Sequence, residues 1–398
     1  MKDMLEGLKV LDLGNNVAGP LAAAMLADYG ADVIHVEKPI LGDDARAYPP
    51  KVDGVSLAYC WLNRGKKSVV LDMKDPAAID IIKKIAADVD VVVESSRPGV
   101  MARLGLDYQA IKQVKPDIVY CSVSAFGQTG PYAKKAGYDV IAQAFSGFMN
   151  LTGYPDGPPM KSNVAIGDIV GAINAFGSIM AALYYRQMTG IGQNIDVSLA
   201  RGLLFANTPF DRLNIGVSEK RTGNHDPALN PYGVYEGSNG QSVVIAAISA
   251  NLWEKLCKIM GREDMIDDPR FCENSLRAKN RHEVIPVIED WLKKFEKIED
   301  AIALLDKAGV PNIKVYSHDD IAKDPHALEC GWLVEAPVQN GITSIDKYLT
   351  RNVAATFSET PGTIKKAAAL GEDNYEVLTK YGLTREQIDE LQAKWSNK

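Results

Sequence analysis

A chain of 398 residues is too long for one ordinary hydrophobic core, so two domains are expected. Its 46% hydrophobic and 24% charged residues are those of a soluble globular protein, and a net charge of −7 argues against general affinity for nucleic acid or anionic membranes. Cys60, Cys121, Cys257, Cys272 and Cys330 are scattered without a CxxC pair, which points to neither a disulfide framework nor a zinc site.

The start, MKDMLEGLKVLDLG, mixes charges into its first apolar residues and does not read as a secretory signal, so a cytoplasmic setting is expected. LKVLDLG at 8–14 reads as a buried strand. AGPLAAAMLADYGA at 18–31 reads as a helix with Pro20 in its first turn and Gly30 near its end, and DVIHVE at 32–37 as a second strand. This βαβ unit at short spacing predicts a parallel sheet. KSVVLDM continues it as a strand, Asp75 and Pro76 open a helix, and DVVVES and DIVYCSVSAFG read as two more strands. Residues 1–130 are therefore expected to form a Rossmann-like open α/β layer with helices on both faces.

Residues 137–215 read as mostly helical, interrupted by GIGQNIDVSL. From about 230 the texture changes. PYGVYEGSNGQSVVIAAIS carries hairpin signals around Ser238, Asn239 and Gly240. Short charged helices follow to about 310, then a connecting stretch over 310–328, then two amphipathic helices in GEDNYEVLTKYGLTREQIDELQAKW.

Within the helical region, Asp168 stands alone before Ile169–Tyr185, a run of almost entirely small or apolar residues. Its length is the lower edge for spanning a bilayer, but it contains Asn174 and Ser178 and lacks an aromatic belt or basic flank. A core helix, apolar all round and buried, is the expected reading. Asp168 itself reads locally either as the N-cap of that helix or as a carboxylate used for chemistry.

The turn LGNNVAGP after the first strand has its glycines wrongly spaced for the dinucleotide fingerprint GxGxxG. P-loop, GxSxG and HExxH motifs are missing, and His35, His225, His282, His318 and His326 show no ligand spacing. Neither a metal nor a nucleotide cofactor is expected.

Several stretches in order resemble the family III CoA-transferases, which include the formyl-CoA:oxalate and carnitine enzymes. They are GLKVLDLGNNVAGP, ADVIHVEKP, NRGKKSVVLDMK, VVVESSRPGVMARLGLDY, SAFGQTGPYAKKAGYDVIAQA, GDIVGA and TGIGQNIDVSL. The resemblance implies an interlocked homodimer. Each chain would have a large α/β domain made from both chain ends, 1–215 with 325–398, and a small inserted α+β domain at 220–320. Linkers would lie at 216–219 and 321–324.

The resemblance makes Asp168 the nucleophile that attacks an acyl-CoA thioester, forming first a mixed anhydride and then an aspartyl-CoA thioester. Moving CoA between two acids conserves the thioester, so neither ATP nor a metal is required. The partners are small carboxylic acids and their CoA thioesters. Gly167 would give the substrate clearance, the helix N-terminus would favour the anion, and nearby N–H groups would hold the oxyanion. Asn16, Val17 and Ala18 would form the turn against CoA, Lys38 and Arg103 would meet its phosphates, and Leu71 and Lys74 would border adenine and ribose. Ser95 and Ser96 stand where relatives often carry Asn and an aromatic residue, and Arg97 offers a planar cation instead. A solvated helix-end charge is the plain alternative for Lys74 and Arg103, as it is for Lys134 and Lys135.

The same fold hosts α-methylacyl-CoA racemases, which carry His in AGHD where this chain has Tyr138 in AGYD. Transferases of the formyl-CoA type carry Tyr followed by an acid, as in Tyr138 and Asp139, so the resemblance makes Tyr138 a catalytic candidate with Asp168 and Gly167. Tyr is a poor base at neutral pH. A racemase-like isomerase and a non-catalytic CoA-binding protein are the alternatives. The stretch 221–235 has Asn and Pro where oxalate enzymes have a glycine-rich lid, and Tyr48 replaces a Trp, so oxalate specificity is not expected. Asn224, His225 and Asn230, with Tyr48 and Asp139, are the acyl-pocket candidates. An ordinary loop is the alternative for the first three.

Overall fold

The computed structural model describes residues 3–217 and 220–396, so residues 218 and 219 of the expected linker lie outside the described residues. Among the described residues, six parallel strands form the central sheet. They are β1 (Lys9–Leu13), β2 (Asp32–Glu37), β3 (Lys67–Val70), β4 (Val91–Glu94), β5 (Val119–Ser124) and β6 (Asn194–Ser198), in the order β3-β2-β1-β4-β5-β6. The order reverses between β1 and β4, the switch point at which ligands of open α/β sheets bind, at the carboxyl ends of the strands.

The central strands read as continuous apolar runs because both their faces are covered. Val10, Val91, Val93 and Cys121 pack under α1 (Ala18–Asp28), while Leu11, Val92 and Tyr120 pack under α2 (Pro76–Asp88). Asp75 caps α2 through the Ala77 N–H, at 3.1 Å. The chain's end joins this layer. Asn374 Oδ1 accepts from Val70 N, Gln392 Nε2 donates to Val70 O, and the Trp395 indole donates to Asp75. GIGQNIDVSL, expected to interrupt helices, contains β6. As an edge strand it exposes Asn194 and Asp196, which hid its strand character.

Two further helices matter for the site, α3 (Asp139–Phe145) and α4 (Ile166–Thr189). α4 is not buried all round as expected. One stripe, Gly167, Gly171, Ala172, Ala175, Ile179 and Ala182, is buried, and α4 packs against α1. The opposite face leaves Tyr184 67% and Met188 69% exposed, because nothing among the described residues covers it. By length and composition alone α4 could cross a membrane.

The chain divides into two compact units, Met1–Gly147 with Ser162–Thr208 and Pro325–Lys398, and Phe148–Lys161 with Pro209–Asp324. Residues 148–161 and 209–215, expected in the large domain, therefore fall in the second unit. The Arg221 side chain explains the first of these, donating to the carbonyls of Asn150, Tyr154 and Gly157. In the second unit β7 (Tyr232–Glu236), β8 (Ser242–Ala246) and β9 (Asn312–Lys314) form an antiparallel sheet, the β7–β8 hairpin turning at Asn239 and Gly240, both at positive φ. β9 lies in the stretch expected to be a mere connection. Trp253, Leu256, Ile288 and Leu305 fill this unit's core.

Candidate active site

The turn after β1 lies at the switch point. Asn15 N donates to Ser95 Oγ at 2.9 Å, and Ser95 Oγ donates back to Asn15 O at 3.1 Å, tying the ends of β1 and β4 together. A Cβ on Gly19, at the head of α1, would sit 3.0 Å from Ser95 Cβ, so a larger residue there would force the two apart by a few tenths of an ångström. Asn16 takes a left-handed φ of 73°, its N–H held by Asp43 Oδ1 at 3.1 Å and its side-chain oxygen accepting from the Tyr48 hydroxyl.

A buried charged network supports this turn. Asp12 Oδ1 accepts from Gly14 N at 2.8 Å and Oδ2 from Lys66 Nζ at 2.6 Å. His35 lies between two carboxylates, with Nδ1 3.1 Å from Asp12 Oδ2 and Nε2 3.4 Å from Asp43 Oδ2. These are ion-pair distances without hydrogen-bond alignment. Burial works against the charged imidazole, but Asp12 and Asp43 outweigh it and raise His35 to about 9. Burial also opposes ionisation of Glu37, yet Arg46, donating to both its oxygens at 2.6 Å, with His35 and Ser68 holds it at about 2. None of these residues was placed in a site from the sequence, His35 being named only as a histidine without ligand spacing. The available signal was a charge inside an apolar strand run: Asp12 in LKVLDLG, and His35 and Glu37 in DVIHVE.

Asp168 is the third residue of α4 and half-buried. It does not cap its own helix. Asp139, the first residue of α3, does so from outside: its Oδ1 accepts from Gly167 N at 2.7 Å and from Asp168 N at 3.4 Å. Among the described residues no donor or cation reaches the Asp168 carboxylate. Burial first, and the charge of Asp139 second, push Asp168 up to about 7. Two expectations need correction. The space over Gly167 is filled, since a Cβ there would meet Asp139 Oδ1 at 2.9 Å and Leu203 Cδ1 at 3.2 Å, so the glycine admits Asp139 rather than a substrate. The N–H groups of Gly167 and Asp168 already have an acceptor and are not an open oxyanion site.

Tyr48 lies close enough to both Asp168 and Tyr138 for their charges to act on it. Burial first, then Asp44, Asp43, Tyr138 and Asp168, raise the Tyr48 hydroxyl. Tyr138 is 67% exposed. Val17 and Ala18 sit at the head of α1, Lys38 follows β2, Lys74 follows β3, and Ser96, Arg97 and Arg103 follow β4. All therefore lie at the carboxyl ends of the parallel strands. Lys38 is exposed and ion-paired with Asp44, and Lys74, Arg97 and Arg103 are exposed. Lys134 and Lys135 are also exposed, Lys135 lying over the Tyr132 ring. Leu71 is fully buried in the core under α2 and offers no surface to adenine. Ser95 commits its hydroxyl to Asn15.

Asn224, His225 and Asn230 lie in the second unit. Asn224 is exposed, and the His225 ring packs against Tyr235. Asn230 is fully buried; its main-chain carbonyl accepts from Arg277 Nε at 2.9 Å, while neither atom of its side-chain amide has a hydrogen-bond partner among the described residues.

Residues 5–374 match the profile described as CoA-transferase family III. The succinate–glutarate CoA-transferase of Agrobacterium fabrum is 36% identical over 95% of this chain and 96% of its own length. The succinyl-CoA–D-citramalate CoA-transferase of Chloroflexus aurantiacus is 33% identical over 98% of this chain and 97% of its own. A crystal structure of a CAIB/BAIF family protein from Brucella suis superposes with a TM-score of 0.85 at 33% identity, covering 96% of this chain and all of that one.

Proposed function

The chain belongs to CoA-transferase family III and is a CoA-transferase, and from that premise we propose that it moves CoA from succinyl-CoA to a second small dicarboxylic acid through Asp168. The observation that carries the reading is the Asp168 carboxylate: partly desolvated, without a hydrogen-bond partner among the described residues, and set in the first turn of α4. A carboxylate in that state is an activated nucleophile. The dicarboxylate is taken from the substrates named for the two relatives.

The steps balance without ATP or metal. An Asp168 oxygen attacks the thioester carbonyl, the C–S bond breaks, and CoA leaves as thiolate, giving a mixed anhydride. The thiolate attacks the Asp168 carbonyl carbon and releases the first acid, leaving an aspartyl-CoA thioester. The acceptor carboxylate then runs the two steps in reverse. Tyr138, exposed and preceding the capping residue Asp139, is the donor this reading assigns to the developing oxyanion, since the α4 N–H groups are engaged. Lys38, Lys74, Arg97 and Arg103 supply the cations for the CoA phosphates at the same edge. An interlocked homodimer belongs to this reading, supported by the uncovered apolar face of α4.

The test is exchange of CoA between succinyl-CoA and a panel of acids in D₂O, read by mass spectrometry of the thioesters. New thioesters without α-deuterium are expected. Deuterium at the α-carbon without any new thioester would instead favour the isomerase reading.

A further inference from the structure

We infer that Asp139 is a positioning residue for Asp168, taking over the capping of α4 from outside so that the nucleophile's own carboxylate stays unbonded, while its negative charge faces that carboxylate. The inference rests on the CoA-transfer reading above and moves Asp139 from the acyl pocket to the support behind it.

Both oxygens of Asp139 are fixed. Oδ1 accepts from Gly167 N at 2.7 Å and Asp168 N at 3.4 Å, and Oδ2 accepts from Gln143 Nε2 at 2.6 Å. Gln143 is itself fully buried, and its Oε1 accepts from Ser162 N at 2.9 Å. Asp139 cannot turn toward a substrate without breaking these bonds. One contact also explains two sequence features, the acid at 139 and the glycine at 167, because a Cβ on residue 167 would collide with the acid.

The electrical consequence follows from the geometry. A carboxylate at a helix N-terminus normally answers the orphan N–H groups and the positive end of the dipole. Asp139 does this here, so Asp168 forgoes that stabilisation and meets a like charge, which raises its proton affinity. The phenol of Tyr48 also feels the charge of Asp168, together with those of Asp44, Asp43 and Tyr138. A more basic carboxylate is a stronger nucleophile once ionised, and the acid limb of the rate profile reports its ionisation.

Asp139→Asn separates charge from cap, because the amide oxygen still accepts from the two N–H groups whereas Asp139→Ala removes both. The measurement is kcat and KM for acyl-CoA from pH 5 to 9. Asp139→Asn is expected to move the acid limb of kcat/KM down by on the order of one pH unit with KM unchanged. Asp139→Ala is expected to lose at least tenfold in kcat across the range, with Asn restoring part of that loss. The same pKa can be read without turnover, by ¹³C NMR titration of labelled Asp with Asp168→Asn as the assignment control. Superimposed profiles and titrations for wild type and Asp139→Asn would overturn the inference. So would a raised KM for the acid with an unmoved profile, which would return Asp139 to the pocket. A wild type inactive in every exchange assay, yet showing the NMR shift, would instead count against the functional reading alone.

Discussion

Asn15 and Ser95 exchange two hydrogen bonds across the point where the strand order reverses, N to Oγ at 2.9 Å and Oγ to O at 3.1 Å. The strand order runs outward to opposite sides from β1 and β4, which leaves a crevice there, and this pair ties its two walls together. The turn that follows carries Asn16, so the geometry beside Tyr48 and Asp168 depends on a serine hydroxyl from another strand.

Ser95→Ala removes both bonds while leaving room for Gly19. The expected cost is about 1–2 kcal/mol of stability in urea unfolding. KM for acyl-CoA should rise several-fold with kcat little changed, because the CoA turn is loosened and the nucleophile is not.

His35 gives a pH signature. Its folded pKa of about 9 lies above the ordinary 6.5, so its contribution is fully present below pH 6.5 and is lost as pH rises through 9. Wild-type stability should fall by about 2–3 kcal/mol over that window on this account. His35→Gln should be less stable at pH 6.5 and should show much less of that fall. Equal slopes for both proteins in urea unfolding at pH 6.5, 8 and 9.5 would count against a charged His35.

Gly167→Ala places a methyl 2.9 Å from Asp139 Oδ1 and 3.2 Å from Leu203 Cδ1. Displacing the cap should lower kcat at least tenfold while KM for acyl-CoA stays within twofold. A fully active variant would mean that Asp139 need not touch the helix.

Arg277 is fully buried and donates to the carbonyls of Asn230, Phe271 and Ile248 at 2.8–2.9 Å. Arg277→Met leaves three carbonyls unanswered and should destabilise the second unit by about 3 kcal/mol or more. Hydrogen exchange should then rise in β7 and β8, with protection of the parallel sheet unchanged.

Much of this was legible in the sequence, for identifiable reasons. β1, β2 and β4 announce themselves because strands covered on both faces are mostly apolar, here interrupted by Asp12, His35, Glu37 and Glu94. Asp75–Pro76 and Asn239–Gly240 mark a helix start and a hairpin by local chemistry alone. β6 was missed because an edge strand with exposed Asn194 and Asp196 has little apolar signal. The run after Asp168 was legible as a helix, but not which of its faces would stay uncovered, since that depends on what packs against α1. Of the two local readings of Asp168, the cap fails for a deeper reason: Asp168 has the local signature of one, but the residue that does the capping is 29 positions earlier on another helix. Tertiary contacts of that kind leave no trace in local spacing.

The central claim is that Asp168 carries CoA. Incubating the protein with succinyl-CoA and no acceptor acid, then quenching and mapping peptides by mass spectrometry, tests it directly. The account predicts an adduct with the mass of CoA on the peptide containing Asp168, discharged by added dicarboxylate and missing in a folded Asp168→Ala variant. An adduct on another residue, or full CoA exchange by Asp168→Ala, would contradict it.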